Sequence, residues 1–353
     1  MSGAGAGGGM AVLGAGAWGT ALAVHAARSG AAVLLWARSA EFGAKLASER
    51  VNERYLPGVE LPAEVRVTWD LRQAAASGTV LVVVPSHGVR AVVRSFLEAR
   101  SSLGAAAPLP ERVTLISGTK GIESDHRGHF RRMSDVCAEE ASSAAVDIDF
   151  ATISGPSFAA ELAAELPTAC VVASEDPGVA ERLQAELSRG ALRLYTSTDV
   201  VGAEIAAAAK NVIAIAAGVL DGLDYGSNTR AALITRGLHE VMRLGLACGG
   251  RPATFAGLGG LGDLVLTCTG GLSRNRNTGI ELGRGRTLEE IETGRAGVAE
   301  GVRNSLALLE LATEKQVELP ITEQMVEILY RGKEPAAAIR DLMGRELKVE
   351  SAL

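Results

Sequence analysis

Gly14-Ala15-Gly16-Ala17-Trp18-Gly19, entered from Met10-Ala11-Val12-Leu13 and left through Thr20-Ala21-Leu22-Ala23, decides the fold of this chain. A short apolar run ends in a glycine turn, and an alanine-rich helical segment leaves it. In such a strand–turn–helix unit the first glycine permits a tight turn. The second lets the main chain approach a pyrophosphate, and the third allows close strand–helix packing. The start of the helix adds free N–H groups and the positive end of its dipole. Glycine-rich turns are common, so spacing alone says little; the strand before Gly14 and the helix after Gly19 make this a dinucleotide site.

Outward from that loop the chain alternates. Strand-like runs lie at residues 10–13, 31–36, 79–84, 113–117, 150–153, 169–173 and 192–197. Helical patterns at 18–29, 40–53, 88–99 and 126–141 fall between several of them. Runs that are apolar throughout, such as VLVVV at 80–84, belong to a parallel sheet covered on both faces. Strands alternating with helices form right-handed βαβ units. Residues 10–200 are therefore expected to fold as an α/β Rossmann-type doubly wound sheet, with Gly30 closing its first helix.

After about Asp199 the strand runs stop. Asp199 is placed to cap a helix through Leu220, and further helices are expected near 229–248, 299–314, 322–330 and 336–343. Residues 201–345 thus form an all-α domain, between a disordered Gly-rich tail (1–9), the sheet domain, and a C-terminal tail (346–353). Two unlike halves imply a cofactor domain, a substrate domain and a cleft between them. Residues 101–110 (SSLGAAAPLP) read as a small-residue surface insertion.

The 353 residues carry 35 Lys+Arg against 41 Asp+Glu, a formal net charge of −6. That balance argues against a nucleic-acid partner, which needs clustered positive charge. Cys137, Cys170, Cys248 and Cys268 show neither CxxC spacing nor a disulfide framework, and read as reduced thiols of a cytoplasmic protein. The five histidines form no metal-binding pair. The first residues lack the basic and apolar regions of a signal peptide. The most apolar helical run, 205–220, is short for a bilayer and carries Lys210, so no transmembrane segment is expected.

The second strand ends Leu35-Trp36-Ala37-Arg38-Ser39, with no acid before Glu41. An acid there would bind the ribose hydroxyls of NAD, whereas an arginine suits the 2′-phosphate of NADP. NADP is the expected cofactor, with NAD possible.

Four later segments carry candidate chemistry. Ser117-Gly118-Thr119-Lys120-Gly121 follows a strand, where open α/β sheets bind ligands; Lys120 either meets an anionic substrate or is a solvated loop lysine. Ser154-Gly155-Pro156-Ser157-Phe158-Ala159 follows another strand. Main-chain N–H groups around Gly155 and Ser157 can meet the same ligand, and the proline also turns the chain into a helix. Lys210 lies in Ala206-Ala207-Ala208-Ala209-Lys210-Asn211-Val212-Ile213, a helix apolar on all sides and hence buried. A lysine there must snorkel out, find a partner, or lose its proton through desolvation, and the last is what a lysine base requires. Finally, a flexible stretch from Gly257 delivers Asp263 beside small polar groups. Ser273-Arg274-Asn275 then offers a helix cap, a guanidinium fork and an amide, a combination suited to a phosphate.

Together these pieces resemble the NAD(P)-dependent glycerol-3-phosphate dehydrogenases of the bacterial type. The matching motifs are GAGAWGTALA, VVVPSH (82–87), TKGIE, ISGPSFAAELA, KNVIAIAAG, NTRAALITRG (228–237), GLGDLVLTCT, SRNRN and VAEG (298–301). They follow that family's order from Met10 to about Gly344. The resemblance implies a Rossmann domain, then a helical domain like the C-terminal one of 6-phosphogluconate dehydrogenases, in a homodimer. It implies reversible reduction of dihydroxyacetone phosphate to sn-glycerol 3-phosphate for glycerophospholipid synthesis.

By the same resemblance Lys210 is the catalytic lysine; burial near Lys120, with Asp263 holding it in place, is expected to depress its pKa. Lys120, Gly155, Ser157, Lys210, Asp263, Ser273, Arg274 and Asn275 are implied substrate contacts. Ala17, Trp18, Arg38, Lys120, Ala159, Arg274, Val298 and Glu300 join Gly14, Gly16 and Gly19 on the cofactor. Ala17 stands where some members carry serine, so a hydroxyl contact is lost there. The 101–110 loop and the N-terminus exceed the common pattern. A ketopantoate or 3-hydroxy-acid dehydrogenase would share the glycine loop and lysine but would not explain SRN with GDLVLTC. A non-catalytic NADP-binding regulator would need none of Lys120, Lys210, Asp263 and Arg274.

Overall fold

Short buried strands and helices alternate from Met10 to Ser197 in the computed structural model, which describes residues 9–103, 109–124, 130–293, 299–347 and 349–350. The chain opens β1 (Met10–Leu13), α1 (Ala17–Arg28), β2 (Val33–Trp36) and α2 (Ala40–Glu49). An antiparallel pair follows, β3 (Val51–Asn52) and β4 (Leu56–Glu60), then β5 (Val65–Thr68), β6 (Thr79–Val82), α3 (Ser86–Ser102) and β7 (Val113–Ser117). Next come a second short pair, β8 (Glu123–Ser124) and β9 (Phe130–Arg131), and α4 (Met133–Ala144). The alternation closes with β10 (Ile148–Ser154), α5 (Ala159–Ala163), β11 (Thr168–Ala173), α6 (Pro177–Leu187) and β12 (Leu192–Ser197).

Contacts divide the chain into two units. The first holds Met1–Thr119, Met133–Ile153 and Ser157–Val200; the second holds Lys120–Arg132, Ser154–Pro156 and Val201–Leu353. A single cut at residue 200 was expected, and one division does fall after Val200. Lys120–Arg132 and Ser154–Pro156, however, pack with the later helices.

In the first unit eight strands make one sheet in the order β12-β11-β10-β7-β6-β1-β2-β5. β1 pairs in parallel with β2 and β6, β2 with β5, β6 with β7, β7 with β10, and β11 with β12. Both faces are covered, as the apolar runs require. Along β1, Val12 joins one apolar core while Ala11 and Leu13 join the other. The strand order reverses at β1, whose two neighbours are β2 and β6, so the glycine loop leaves the sheet at its switch point.

Three local differences from the sequence reading have physical causes. α2 stops at Glu49 rather than residue 53, because Arg50 turns left-handed (φ 58°) and its guanidinium donates to the carbonyls of Leu61, Pro62 and Val65. That frees 51–60 for a hairpin and lets β5 join the sheet edge. The helix expected at 126–141 runs from Met133 to Ala144; Phe130–Arg131 pairs with β8, and residues 125–129 lie outside the described ones. Of the 101–110 insertion, Ser101 and Ser102 finish α3 and residues 104–108 lie outside the described ones, as do residues 1–8, 348 and 351–353 of the tails.

The second unit is built round α7 (Val200–Gly222), followed by α8 (Ser227–Ala247), α9 (Pro252–Ala256), a π-helical turn (Leu258–Gly262) and α10 (Asp263–Thr269). α11 (Arg274–Gly283), α12 (Leu288–Thr293), α13 (Glu300–Glu314), α14 (Pro320–Arg331) and α15 (Pro335–Met343) complete it. The expectation that the apolar run is too short for a bilayer needs correction. α7 has 23 residues and a window of mean hydropathy 1.6, long and apolar enough by composition, but 94% of that window is buried inside the protein. It is a core helix. A Cβ at Gly218 would lie 1.9 Å from the Arg276 carbonyl oxygen, and one at Gly279 2.0 Å from that of Ile215. α7 and α11 therefore cross with their main chains in contact, which fixes the start of α11 against the helix carrying Lys210.

Candidate active site

The glycine loop of the first unit separates what the fold needs from what a ligand needs. Gly14 adopts φ 123°, and a Cβ there would lie 2.4 Å from the Val83 carbonyl oxygen. At Gly19 a Cβ would lie 1.9 Å from the Gly14 carbonyl oxygen. Only glycine fits either place. Gly16 faces open space instead, with nothing within 4 Å of a Cβ. It is the N-cap of α1 without a side-chain cap, and the first turn carries no acid. Free N–H groups and an uncompensated dipole end are thus presented together, as a dinucleotide's pyrophosphate requires.

Two further features fit that group. The Trp18 Nε1–H is buried with no hydrogen-bond partner among the described residues, beside Gly118, where a Cβ would lie 3.2 Å from the nitrogen. The loop itself is held by Asn52, which is fully buried. Its Nδ2 donates to the Ala15 carbonyl at 3.0 Å and to Thr20 Oγ1 at 2.7 Å, while its Oδ1 accepts from Tyr55 N at 3.2 Å. Asn52 was not anticipated; in sequence it reads as one polar residue of a turn-rich stretch. Arg38 is exposed after β2, and Ser39 caps α2 by accepting from Phe42 N. Ala159 opens α5.

In the second unit one carboxylate gathers two lysines. Lys210, buried midway along α7, donates from Nζ to Asp263 Oδ1 at 2.5 Å and to Thr267 Oγ1 at 2.8 Å. Lys120 Nζ donates to Asp263 Oδ2 at 2.7 Å and to the Gly155 carbonyl at 3.1 Å. Asp263 is 1% exposed and opens α10 straight after the π-helical turn. That turn depends on glycine: a Cβ at Gly260 would lie 2.3 Å from the Phe255 carbonyl oxygen. Thr267, one turn beyond Asp263, donates to the Asp263 carbonyl at 2.6 Å and so presents its oxygen to Lys210. Its spacing of four from Asp263 was the available signal for it.

Electrostatics follow from burial. Desolvation pushes the Lys210 ammonium down; the Asp263 charge opposes this and the Lys120 charge adds to it, for a net fall from 10.5 to about 8. Desolvation alone would raise the Asp263 carboxyl, but the two lysine charges and their hydrogen bonds hold it below the usual carboxylate range. Of the three fates open to Lys210 in sequence, the structure shows a buried lysine with a partner and a weakened hold on its proton.

The remaining candidates divide. Gly155, at φ 137°, meets Lys120 through its carbonyl, whereas N–H contacts to a ligand were expected there. Ser157 belongs to the first unit. Ser273 Oγ caps α11, accepting from Arg276 N at 3.2 Å, and Arg274 is exposed at the helix start. Asn275, expected as a phosphate amide, has two protein partners within the second unit. Its Nδ2 donates to Asn211 Oδ1 at 2.9 Å and its Oδ1 accepts from Gly301 N at 3.0 Å, so the side chain ties α11 to α7 and α13. Asn211 in turn donates to the Lys120 carbonyl at 3.1 Å. Glu300 opens α13, and Val298 lies outside the described residues.

Comparison with known proteins agrees over both units. Family models described as the NAD-dependent glycerol-3-phosphate dehydrogenase N-terminus and C-terminus match residues 9–180 and 199–340. A glycerol-3-phosphate dehydrogenase (NAD(P)+) of Koribacter versatilis is 48% identical over 344 residues, covering 97% of this chain and 98% of that protein. One of Desulfotalea psychrophila is 46% identical with the same coverage. A crystal structure of glycerol-3-phosphate dehydrogenase from Coxiella burnetii, 37% identical, matches with a TM-score of 0.88 over 96% of this chain and 99% of that one. The chain belongs to the NAD-dependent glycerol-3-phosphate dehydrogenase family.

Proposed function

We propose that this chain reduces dihydroxyacetone phosphate to sn-glycerol 3-phosphate, reversibly, with NADP preferred to NAD and with Lys210 as general acid and base. The observation that carries this reading is the Asp263 carboxylate with an ammonium on each oxygen, one of them buried and brought to about 8. A bound reduced nicotinamide supplies the hydride for C2 of the substrate.

Lys210 handles the proton. Two of its three N–H donors go to Asp263 and Thr267, and the third is left for the C2 oxygen. As charge develops on that oxygen the ammonium stabilises it and gives up a proton; in oxidation the amine takes the proton back. Near pH 8 both forms of the lysine are populated, whereas an ordinary lysine would be almost wholly protonated. Asp263 fixes Nζ and keeps two like charges from repelling each other apart. Arg274, exposed beside the Ser273-capped end of α11, supplies a planar fork for the phosphate, with the first main-chain N–H groups of the helix behind it. In the first unit, Gly16 and the first turn of α1 bind pyrophosphate, and Arg38 takes the 2′-phosphate. The reading includes a cytoplasmic homodimer that feeds glycerophospholipid synthesis; four cysteines without CxxC spacing suit a reducing compartment.

Initial rates of NADPH and NADH oxidation with dihydroxyacetone phosphate and with ketopantoate test this. Dihydroxyacetone phosphate with NADPH should give the highest kcat/KM. A preference for ketopantoate would remove the substrate assignment, and a preference for NADH would remove the role of Arg38.

A further inference from the structure

Asn304, one turn into α13, is completely buried, and its two ends are treated differently. Nδ2 donates to the main-chain carbonyls of Lys120 at 3.2 Å and Ala208 at 3.1 Å. Oδ1 is buried with no hydrogen-bond partner among the described residues. An unmet buried acceptor destabilises the fold, a cost that a leucine of similar size would avoid. What the amide offers in return is its two donors. Their acceptors belong to the two segments that bring ammonium groups to Asp263: Lys120 itself, and α7 two residues before Lys210.

The Lys120 carbonyl is also held by Asn211 Nδ2, from α7. Residues 120–122 form no regular structure, so these side chains do for Lys120 what a helix does for Lys210. We propose that Asn304 is a positioning residue for the reaction: it clips the Lys120 main chain to α7 and so keeps the Lys120 and Lys210 ammonium groups on opposite oxygens of Asp263. This rests on Lys210 acting as the acid and base.

The consequence reaches the reaction through charge. If the clip is lost, Lys120 moves away from Asp263, its charge no longer disfavours the Lys210 ammonium, and the lysine holds its proton to higher pH. The charged groups that act on Lys210 are Asp263 and Lys120. The nearby Cys268 thiol is pushed up to about 12 by burial and stays neutral.

The test compares Asn304→Leu, Asn304→Ser and Lys210→Ala with the wild type. The readouts are kcat, KM for both substrates, the pH profile of dihydroxyacetone phosphate reduction and the thermal midpoint. Both Asn304 variants should lose about tenfold in kcat through a misplaced acid, with KM for NADPH within about twofold. The alkaline limb of the profile should move up by about one pH unit. If the leucine variant does not fold, the serine variant, too short to reach either carbonyl, gives the same readouts. A merely structural role would lower the thermal midpoint and leave the alkaline limb in place, which would overturn the proposal. Lys210→Ala separates the two levels: if it stays within about tenfold of wild type, the function of Lys210 itself is misassigned. If it is inactive while the Asn304 variants keep the wild-type profile, only the role of Asn304 falls.

Discussion

The glycine loop of the first unit and the Asp263 cluster of the second are built by opposite means. The loop uses six consecutive residues, main-chain N–H groups and no titratable side chain. The cluster uses side chains from separate parts of the chain, with Lys120 and Lys210 standing 143 and 53 residues from Asp263. A main-chain site depends on backbone conformation, which neighbouring residues dictate. A buried ion cluster depends on distances that only the packed helices set, and its proton affinities respond to each of those distances. Sensitivity to pH should therefore belong to the second region.

The largest expected effect tests that separation. Lys210→Ala should lower turnover by about 10²–10⁴-fold, the usual range for a lost general acid. The NADPH dissociation constant, measured by fluorescence titration, should stay within about twofold of wild type. A comparable loss of NADPH affinity would break the comparison. With Lys210 as the proposed acid and base, the ammonium serves reduction, which should fall as pH rises through about 8. The amine serves oxidation, which should rise through the same pH.

An intermediate effect sharpens the loop itself. Gly14→Ala places a side chain at φ 123° and against the Val83 carbonyl, and should cost roughly 3 kcal/mol or more of stability, seen in the thermal midpoint. Gly16→Ala meets nothing in the protein, so stability should stay within about 1 kcal/mol, while NADPH affinity falls about tenfold as the Cβ obstructs the pyrophosphate. If the two substitutions exchanged these results, the division between a fold glycine and a ligand glycine would be wrong. The smallest effect is expected at Arg38. Its alanine variant should lower the NADPH-to-NADH ratio of kcat/KM by about three- to tenfold, as suits an exposed cation facing one phosphate. An unchanged ratio would remove Arg38 from the 2′-phosphate.

What the sequence by itself determined is what neighbouring residues dictate. β1 and β7 have the bounds read for them, because apolar runs between turn residues have one way to lie in a sheet covered on both faces. The three glycines announced the dinucleotide loop, Ser273 its helix cap, and the ordered motifs the family. The left-handed turn at Arg50 escaped, because its stabilising carbonyls come from residues 61, 62 and 65. The bonds of Asn275 to Asn211 and Gly301 could not be read from spacing, and Asn52 and Asn304 had no visible pattern at all. Lys210 shows the limit most clearly. Its apolar helix required that it be buried, yet snorkelling, pairing and deprotonation all remained open. The tertiary structure decided among them by setting Asp263, Thr267 and Lys120 round one ammonium, because desolvation and Coulomb interactions depend on distance in space and not along the chain.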